Sequence, residues 1–323
     1  MAEFIVVIAE GSSSIAPGVR DYGGNRIDVR FAPFSTPERI AAATADAHGV
    51  IVALQRLHRK EIEALGPHVR AISRSGIGLD NIDLDAAKER GMAVMYQPVY
   101  ATDEVATHAV AMLLALNRRL VESDRIVRTG WPERRKLFSI KPIHRMTVGV
   151  IGYGVIGRAT VHRLVNLAAQ VVVYDPYTQS VPAGVELETS FDEFLKRSDA
   201  ITLHAPLTPE THNLIGAREL ALLPKGACVV NVSRGELIDH DALVKSLQAG
   251  HIAAAGIDVF PVEPVPLDDP LLSCPGVLLS PHTAFASAEA VARLHSQTAE
   301  DLFAYLATGA VTFGKLAVDP PRR

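Results

Sequence analysis

Three stretches in the second half of the chain carry side chains suited to holding an anion and moving a proton. Asn231-Val232-Ser233-Arg234-Gly235 follows a short apolar run and leaves Arg234 at its end. A guanidinium in that place can grip a carboxylate through two parallel hydrogen bonds. Asp258-Val259-Phe260-Pro261-Val262-Glu263-Pro264 closes a second apolar run with Asp258 and Glu263, and Ser280-Pro281-His282-Thr283 sets an imidazole after a third. Imidazole exchanges protons near neutrality, and a neighbouring carboxylate fixes its ring and favours its charged form. Alone, each residue also fits a plainer reading: a surface Arg at a turn, a solvated Glu in a Pro-rich loop, a structural His. Their joint arrival at the ends of consecutive apolar runs favours the chemical one.

A fourth stretch binds phosphate by its shape. Val148-Gly149-Val150-Ile151-Gly152-Tyr153-Gly154-Val155-Ile156-Gly157-Arg158 reads as a strand entering Gly-x-Gly-x-x-Gly and then a helix. Gly152 permits the tight turn, Gly154 lets backbone amides approach a pyrophosphate, and Gly157 lets helix and strand pack closely, with the helix N-terminus facing the phosphates. Asp175 ends the next apolar run, 18 residues beyond Gly157. A carboxylate there accepts from ribose hydroxyls and repels a 2′-phosphate, so NAD is expected rather than NADP. Arg158, within the first helical turn, is expected to bond locally.

Strands that must position these residues read as Phe4–Ala9, Ile27–Phe31, Gly49–Ala53, Ala71–Arg74 and Ala93–Tyr96, then Thr147–Ile151, Val171–Tyr174, Ala200–His204, Cys228–Asn231, Ala254–Val259 and Val277–Ser280. Helical periodicity separates them, as at Leu84–Arg90, Phe191–Arg197 and Asp241–Ala249, with a start signal at Thr36-Pro37-Glu38. Alternation of this kind means parallel sheets. The fold class is therefore α/β with two domains. A flavodoxin-like unit comprises 1–101 with 287–323, and a Rossmann-type doubly wound unit comprises 102–286. A long helix is expected from Asp103 to about Arg128, apolar on more than one face, as an interdomain core helix or a subunit interface. The last helix, Ala288–Ala307, returns to the first domain ahead of a polar tail at Asp319–Arg323. Ser12-Ser13-Ser14 reads as a solvated βα loop, and Arg134-Arg135-Lys136 as a solvated face.

Composition narrows the class. Hydrophobic residues make up 48% and charged residues 21% of 323, and the net charge is −4. No nucleic-acid or membrane partner is expected from that balance. Two cysteines, Cys228 and Cys274, rule out a disulfide framework and suit a reducing compartment, and the twelve histidines show no metal-ligand spacing. The apolar stretch Val105–Leu116, interrupted by Thr107 and His108, is too short to cross a bilayer, and the start reads as a strand rather than a signal peptide. A soluble cytoplasmic protein is expected.

With these motifs, and with His204-Ala205-Pro206-Leu207-Thr208-Pro209-Glu210-Thr211 and Gly256-Ile257-Asp258-Val259-Phe260, the chain resembles the D-isomer-specific 2-hydroxyacid dehydrogenase family over essentially its whole length. Thr102–Ala106 and Pro281–Phe285 look closest to bacterial members similar to C-terminal-binding proteins. The resemblance implies that His282 donates a proton to a keto oxygen, that Glu263 pairs with it and that Arg234 orients the substrate carboxylate. It further implies that Asp258 holds the nicotinamide carboxamide and that Val155, Ile156, Val232 and His204 line the cofactor. The loop Arg74-Ser75-Gly76-Ile77-Gly78-Leu79-Asp80-Asn81 looks like the family segment whose amides grip the carboxylate, with domain closure excluding water. A small 2-keto or 2-hydroxy acid substrate and a homodimer formed through the Asp103–Arg128 region follow.

Departures from the family pattern are Tyr96-Gln97-Pro98 where Asn-Val-Pro is common, Thr107, and Thr283-Ala284-Phe285, all expected beside the pocket. Glu263 rather than Gln speaks against a formate dehydrogenase, and the chain is expected to lack the regulatory domain of long phosphoglycerate dehydrogenases. A second class, an NAD(H)-sensing corepressor-like binding protein, shares the same catalytic residues. Gln55-Arg56-Leu57-His58-Arg59 is either an exposed helix start or a basic loop that favours a second anionic group on the substrate.

Overall fold

The computed structural model describes residues 2–10, 22–131, 135 and 140–320. The chain divides into two compact units, Met1–Ala101 with Ser287–Arg323, and Thr102–Ala286.

In the first unit, β1 (Phe4–Ala9), β2 (Ile27–Ala32), β3 (Gly49–Val52), β4 (Ala71–Arg74) and β5 (Ala93–Tyr96) form a parallel sheet. The strand β13 (Lys315–Val318) joins it antiparallel to β5, giving the order β13-β5-β4-β3-β1-β2. β13 was not anticipated; only one of its four residues is buried, so its apolar signal is weak. Helices α1 (Pro37–Thr44), α2 (Arg59–Ala64) and α3 (Leu84–Glu89) connect the strands. Thr36 caps α1 by accepting from Arg39 N, and Asp83 caps α3 by accepting from Ala86 N at 2.8 Å. One sheet face packs against α1 to α3 through Val7, Ile40, Val50, Ile62, Ile72 and Ala87. The other is covered by the last helix, α10 (Ala288–Thr308), through Ala299, Leu302 and Leu306.

In the second unit, β6 (Thr147–Ile151), β7 (Gln170–Tyr174), β8 (Val185–Leu187), β9 (Ala200–Leu203), β10 (Ala227–Asn231), β11 (Ile252–Ile257) and β12 (Val277–Leu279) form a wholly parallel sheet. The order is β12-β11-β10-β9-β6-β7-β8. Strands buried on both faces read as continuous apolar runs, as in Val171–Val173 and Val229–Val230. The edge strand β8, half-buried and three residues long, lacked that signal and makes seven strands where six were expected. Helices α6 (Val155–Leu164), α7 (Phe191–Arg197), α8 (Ala217–Leu222) and α9 (His240–Gln248) link them.

The expected helix from Asp103 to Arg128 is in fact two: α4 (Thr102–Asn117) and α5 (Leu120–Arg128). Arg119 sits in the left-handed region at φ 50°, which breaks the helix, and Asn117 Nδ2 donates to Lys141 O at 2.9 Å. α4 is buried on several faces against β10, β11, β12 and α6 of its own unit, whereas α5 is amphipathic. Arg135 is exposed, as expected; Arg134 and Lys136, the loop Ser12–Ser14 and 321–323 of the tail lie outside the described residues.

Candidate active site

In the second unit the strand order reverses between β6 and β9, the crevice where open α/β sheets bind ligands. Gly152 follows β6 at φ 88°, and a side chain there would come within 2.7 Å of Ala205 N. At Gly157 a Cβ would stand 2.1 Å from Gly152 O, so any side chain would drive helix and turn apart. Above Gly154, by contrast, a Cβ would meet nothing within 4 Å. Gly154 is the N-cap of α6 and offers no side-chain cap, so the amides of Val155 and Ile156 start the helix without one. Close packing at two glycines and open space at the third form a cradle that suits a pyrophosphate.

Asp175 follows β7 and is half-buried. Its Oδ2 accepts from Tyr153 N at 2.7 Å, and its Oδ1 from Tyr177 N and Thr178 N at 2.8 and 3.1 Å. The carboxylate thus ties the glycine turn to the end of the neighbouring strand, and Oδ2 keeps a lone pair for a ribose hydroxyl. Arg158 stays local: Nε donates to Tyr153 O at 3.0 Å and the guanidinium lies 5.3 Å from the Tyr153 ring centre. His204 follows β9, and its Nε2 is 3.0 Å from Thr202 Oγ1. Part of its surface is accessible, yet its ring is enclosed by packed atoms, and desolvation pushes its pKa down to about 3. It is a neutral wall of the crevice. Val232, buried, follows β10 on the same side of the sheet.

Arg234, Glu263 and His282 come together beyond the carboxyl ends of β10, β11 and β12. Asn231 organises the first turn: its Nδ2 donates to Arg234 O at 2.7 Å and its Oδ1 accepts from Ser233 N at 3.0 Å. Gly235 then lies against the Phe260–Pro261 peptide, with room for no Cβ (2.1 Å to Phe260 C), which locks the Arg234 turn onto the loop bearing Glu263. Glu263 Oε1 accepts from Phe260 N at 3.0 Å, and Oε2 pairs with His282 Nδ1 at 2.8 Å. Burial alone would raise the Glu263 pKa. The bonds from His282 and Phe260 N, with the charges of His282 and Arg234, outweigh burial and hold it below 4.5. An ionised Glu263 has no proton to give, so His282 Nδ1 carries the hydrogen, and Nε2 has no hydrogen-bond partner among the described residues. The field of Arg234 on Glu263 means that cation, carboxylate and imidazole share one cluster.

His282 itself adopts φ 52°, a conformation that costs a non-glycine residue about 1–2 kcal/mol. Strain of this kind persists only where the surroundings over-determine it. Here Asp258 does so. Its carbonyl accepts from His282 N at 2.7 Å, and its carboxylate accepts from Thr283 N at 2.9 Å, Ala284 N at 3.0 Å and the Ser280 hydroxyl. Asp258 has no exposed surface. Phe285 stands edge-on to the His282 ring at 6.5 Å. Sequence reasoning overlooked one further participant: His108 on α4, whose Nε2 is 3.0 Å from Ser280 Oγ. Its only sequence signal is a polar interruption of an apolar helix.

Two departures from the family pattern have structural roles rather than positions at the imidazole. Thr107 Oγ1 accepts from Arg163 Nε at 3.2 Å, while Asp103 pairs with the same guanidinium at 2.8 Å, joining α4 to α6. Gln97 is buried and donates to Asp301 at 2.7 Å.

In the first unit, Arg74, Ser75, Gly76 and Ile77 follow β4. Arg74 is buried and its guanidinium donates to Ser75 O. Ser75 N donates to Val52 O at 2.8 Å and Gly76 N to Arg74 O at 3.0 Å, so these two amides are already engaged, whereas Ile77 N and Gly78 N have no backbone acceptor among the described residues. The basic segment after β3 is a helix start: Arg59 pairs with Glu89 at 2.6 Å, Leu57 is buried, and Arg56 and His58 are exposed. Among the described residues no cluster of three or more His, Cys, Asp or Glu is placed to hold a metal ion, and no helix is long and apolar enough to cross a membrane.

Comparison with known proteins fits this geometry. Residues 110–284 match the model of the NAD binding domain of D-isomer specific 2-hydroxyacid dehydrogenases. The chain belongs to this family. Among its relatives, a D-3-phosphoglycerate dehydrogenase from Mycobacterium leprae is 38% identical over 86% of this chain and 53% of its own length. A glyoxylate reductase from Korarchaeum cryptofilum is 38% identical over 76% of this chain and 75% of its own. The chain therefore spans about half the length of the phosphoglycerate dehydrogenases that it matches. Among solved structures, the NAD-dependent formate dehydrogenase of Staphylococcus aureus in complex with NAD superposes with TM-score 0.87 at 28% identity, covering 98% of this chain and all of that one.

Proposed function

We propose that this family member is an NAD-dependent oxidoreductase that interconverts a small 2-keto acid and the D-2-hydroxy acid. The observation that carries the reading is the Glu263–His282 pair with Nε2 left open, in the field of Arg234. Gly152, Gly154, Gly157 and the first amides of α6 would hold the pyrophosphate, Asp175 the ribose, and His204 and Val232 the walls, whereas Asp258, expected at the carboxamide, has no exposed surface and serves the site through the turn that it holds. When bound, the dinucleotide supplies or accepts the hydride.

The residues of the chain do the rest. Arg234 binds the carboxylate and draws electrons from the carbonyl. Glu263 stabilises the imidazolium and aims Nε2–H, and His282 delivers that proton to the keto oxygen during reduction or removes it during oxidation. Within the first unit, Arg74, Ser75, Gly76 and Ile77 are proposed as substrate-binding residues, the amides of Ile77 and Gly78 being available to donate to an anion. We extend the proposal to a homodimer formed through α5, where Leu120, Val121 and Val127 are more than half exposed. A cytoplasmic setting is part of the same reading and accords with two free thiols.

The test is oxidation of NADH by the purified protein against a panel of 2-keto acids, with NADPH alongside. Turnover of at least one keto acid with NADH is expected. Inactivity on all of them with both dinucleotides would remove the proposal.

A further inference from the structure

We propose that His108 is a positioning residue for this reaction, acting on the strained turn of His282 through Ser280 and Asp258. The inference rests on the activity proposed above and adds to it a residue on a different element, α4, that does not touch the reacting atoms.

The direction of the chain of bonds follows from counting hydrogens. The Asp258 carboxylate accepts from Thr283 N and Ala284 N and has no proton to offer, so the bond between Ser280 Oγ and Asp258 Oδ1 uses the Ser280 hydrogen. Ser280 has only that one. The 3.0 Å contact between Ser280 Oγ and His108 Nε2 must therefore be donated by His108, which fixes Nε2 as the protonated nitrogen. The result is a one-way relay: His108 Nε2–H to Ser280, and Ser280 O–H to Asp258. Without the His108 donor, the Ser280 hydroxyl is free to rotate away from the carboxylate.

Asp258 cannot recruit water in exchange, because none of its surface is exposed. A polar group in that setting depends on protein partners alone, and partial satisfaction of such a network costs more than its pairwise bonds suggest. The same carboxylate holds the two amides that follow His282, and the same residue's carbonyl holds His282 N at 2.7 Å. Loosening it releases the φ 52° turn that aims the imidazole. The consequence belongs to proton delivery, so it should appear in kcat while dinucleotide affinity stays.

The variants are chosen to separate this from a packing role. His108→Leu fills the space and removes the donor; His108→Gln returns an amide donor near the position of Nε2. We expect His108→Leu to lower kcat about tenfold, the scale of one lost hydrogen bond to a charged network, with KM for NADH within about twofold. His108→Gln should recover most of the loss, and Ser280→Ala combined with His108→Leu should be no slower than Ser280→Ala alone. Equal rates for wild type, Leu and Gln, or losses that multiply in the double variant, overturn the proposal.

A readout independent of turnover covers a variant that fails to fold. Ring ¹⁵N spectra of the wild-type protein at neutral pH should show His108 protonated at Nε2, and protonation at Nδ1 alone overturns the relay. That spectrum also separates the two readings. A wild-type protein inactive on every keto acid removes the oxidoreductase, whereas the tautomer and the Leu–Gln difference judge His108.

Discussion

At the scale of single residues, the division of labour between Glu263 and His282 rests on which of the two is charged. His282→Ala should lower kcat for reduction by about 10²–10⁴-fold, the usual worth of a positioned acid, with NADH binding, followed by its fluorescence, unchanged. The Glu263 pKa is depressed in the folded protein, its bonds and neighbouring charges outweighing burial. A depressed carboxylate contributes its stabilisation above its unfolded pKa and loses it as pH falls through the folded one. Reduction should therefore persist through the ordinary carboxylate range and fall only where the lowered Glu263 pKa is reached, and that acid limb should be missing in Glu263→Gln. An acid limb that is identical in Glu263→Gln would show that another group titrates there. These residues were legible because parallel strands end in a predictable place: a polar side chain just after an apolar run lies at the carboxyl edge of the sheet. His108 was not legible, since its partner Ser280 lies 172 positions away and only the packing of α4 on the sheet brings them together.

At the scale of elements, runs buried on two faces announced themselves, and elements with a weak or shared pattern did not. β8 and β13 are short and half-exposed. The break between α4 and α5 was hidden because Leu116, Leu120 and Val121 continue the apolar rhythm across Arg118-Arg119, with neither Gly nor Pro to mark it. The break has a consequence for assembly. It gives α5 its own direction, with Leu120 and Val127 two turns apart on one face at 55% exposure each and Val121 beside them at 53%. A charged residue there would remain solvated in a monomer but would be desolvated in a pair. Val121→Asp should yield a monomer by light scattering where the wild type is a dimer, with an unchanged far-ultraviolet dichroism spectrum. A wild-type monomer at micromolar concentration would end the dimer proposal.

At the scale of the whole molecule, the first unit is discontinuous in sequence: 101 residues from the start are completed by α10 and β13 from the end. Besides the β13–β5 pairing and the apolar face of α10, a buried carboxylate fastens the late segment. Asp301, on α10 and without exposed surface, accepts from Thr312 N, Phe313 N and Gly314 N at 2.7, 2.8 and 2.7 Å and from Gln97 Nε2 at 2.7 Å. It therefore binds the helix, the turn into β13 and the segment after β5 at one point. Asp301→Ala strands four donors, and even with partial access of water to the turn the loss should be about 2–4 kcal/mol. Hydrogen exchange should localise the effect: faster exchange at 310–318 and 94–97, and none at 227–231 in β10. A reporter already sits in β10, because desolvation raises the Cys228 thiol to about 11 and leaves it protonated and buried at neutral pH. If the variant exchanges normally at 310–318, Asp301 is not the fastening point. If it instead exposes Cys228 to alkylation as fast as it frees the turn, the loss is global rather than confined to the unit in which Asp301 lies.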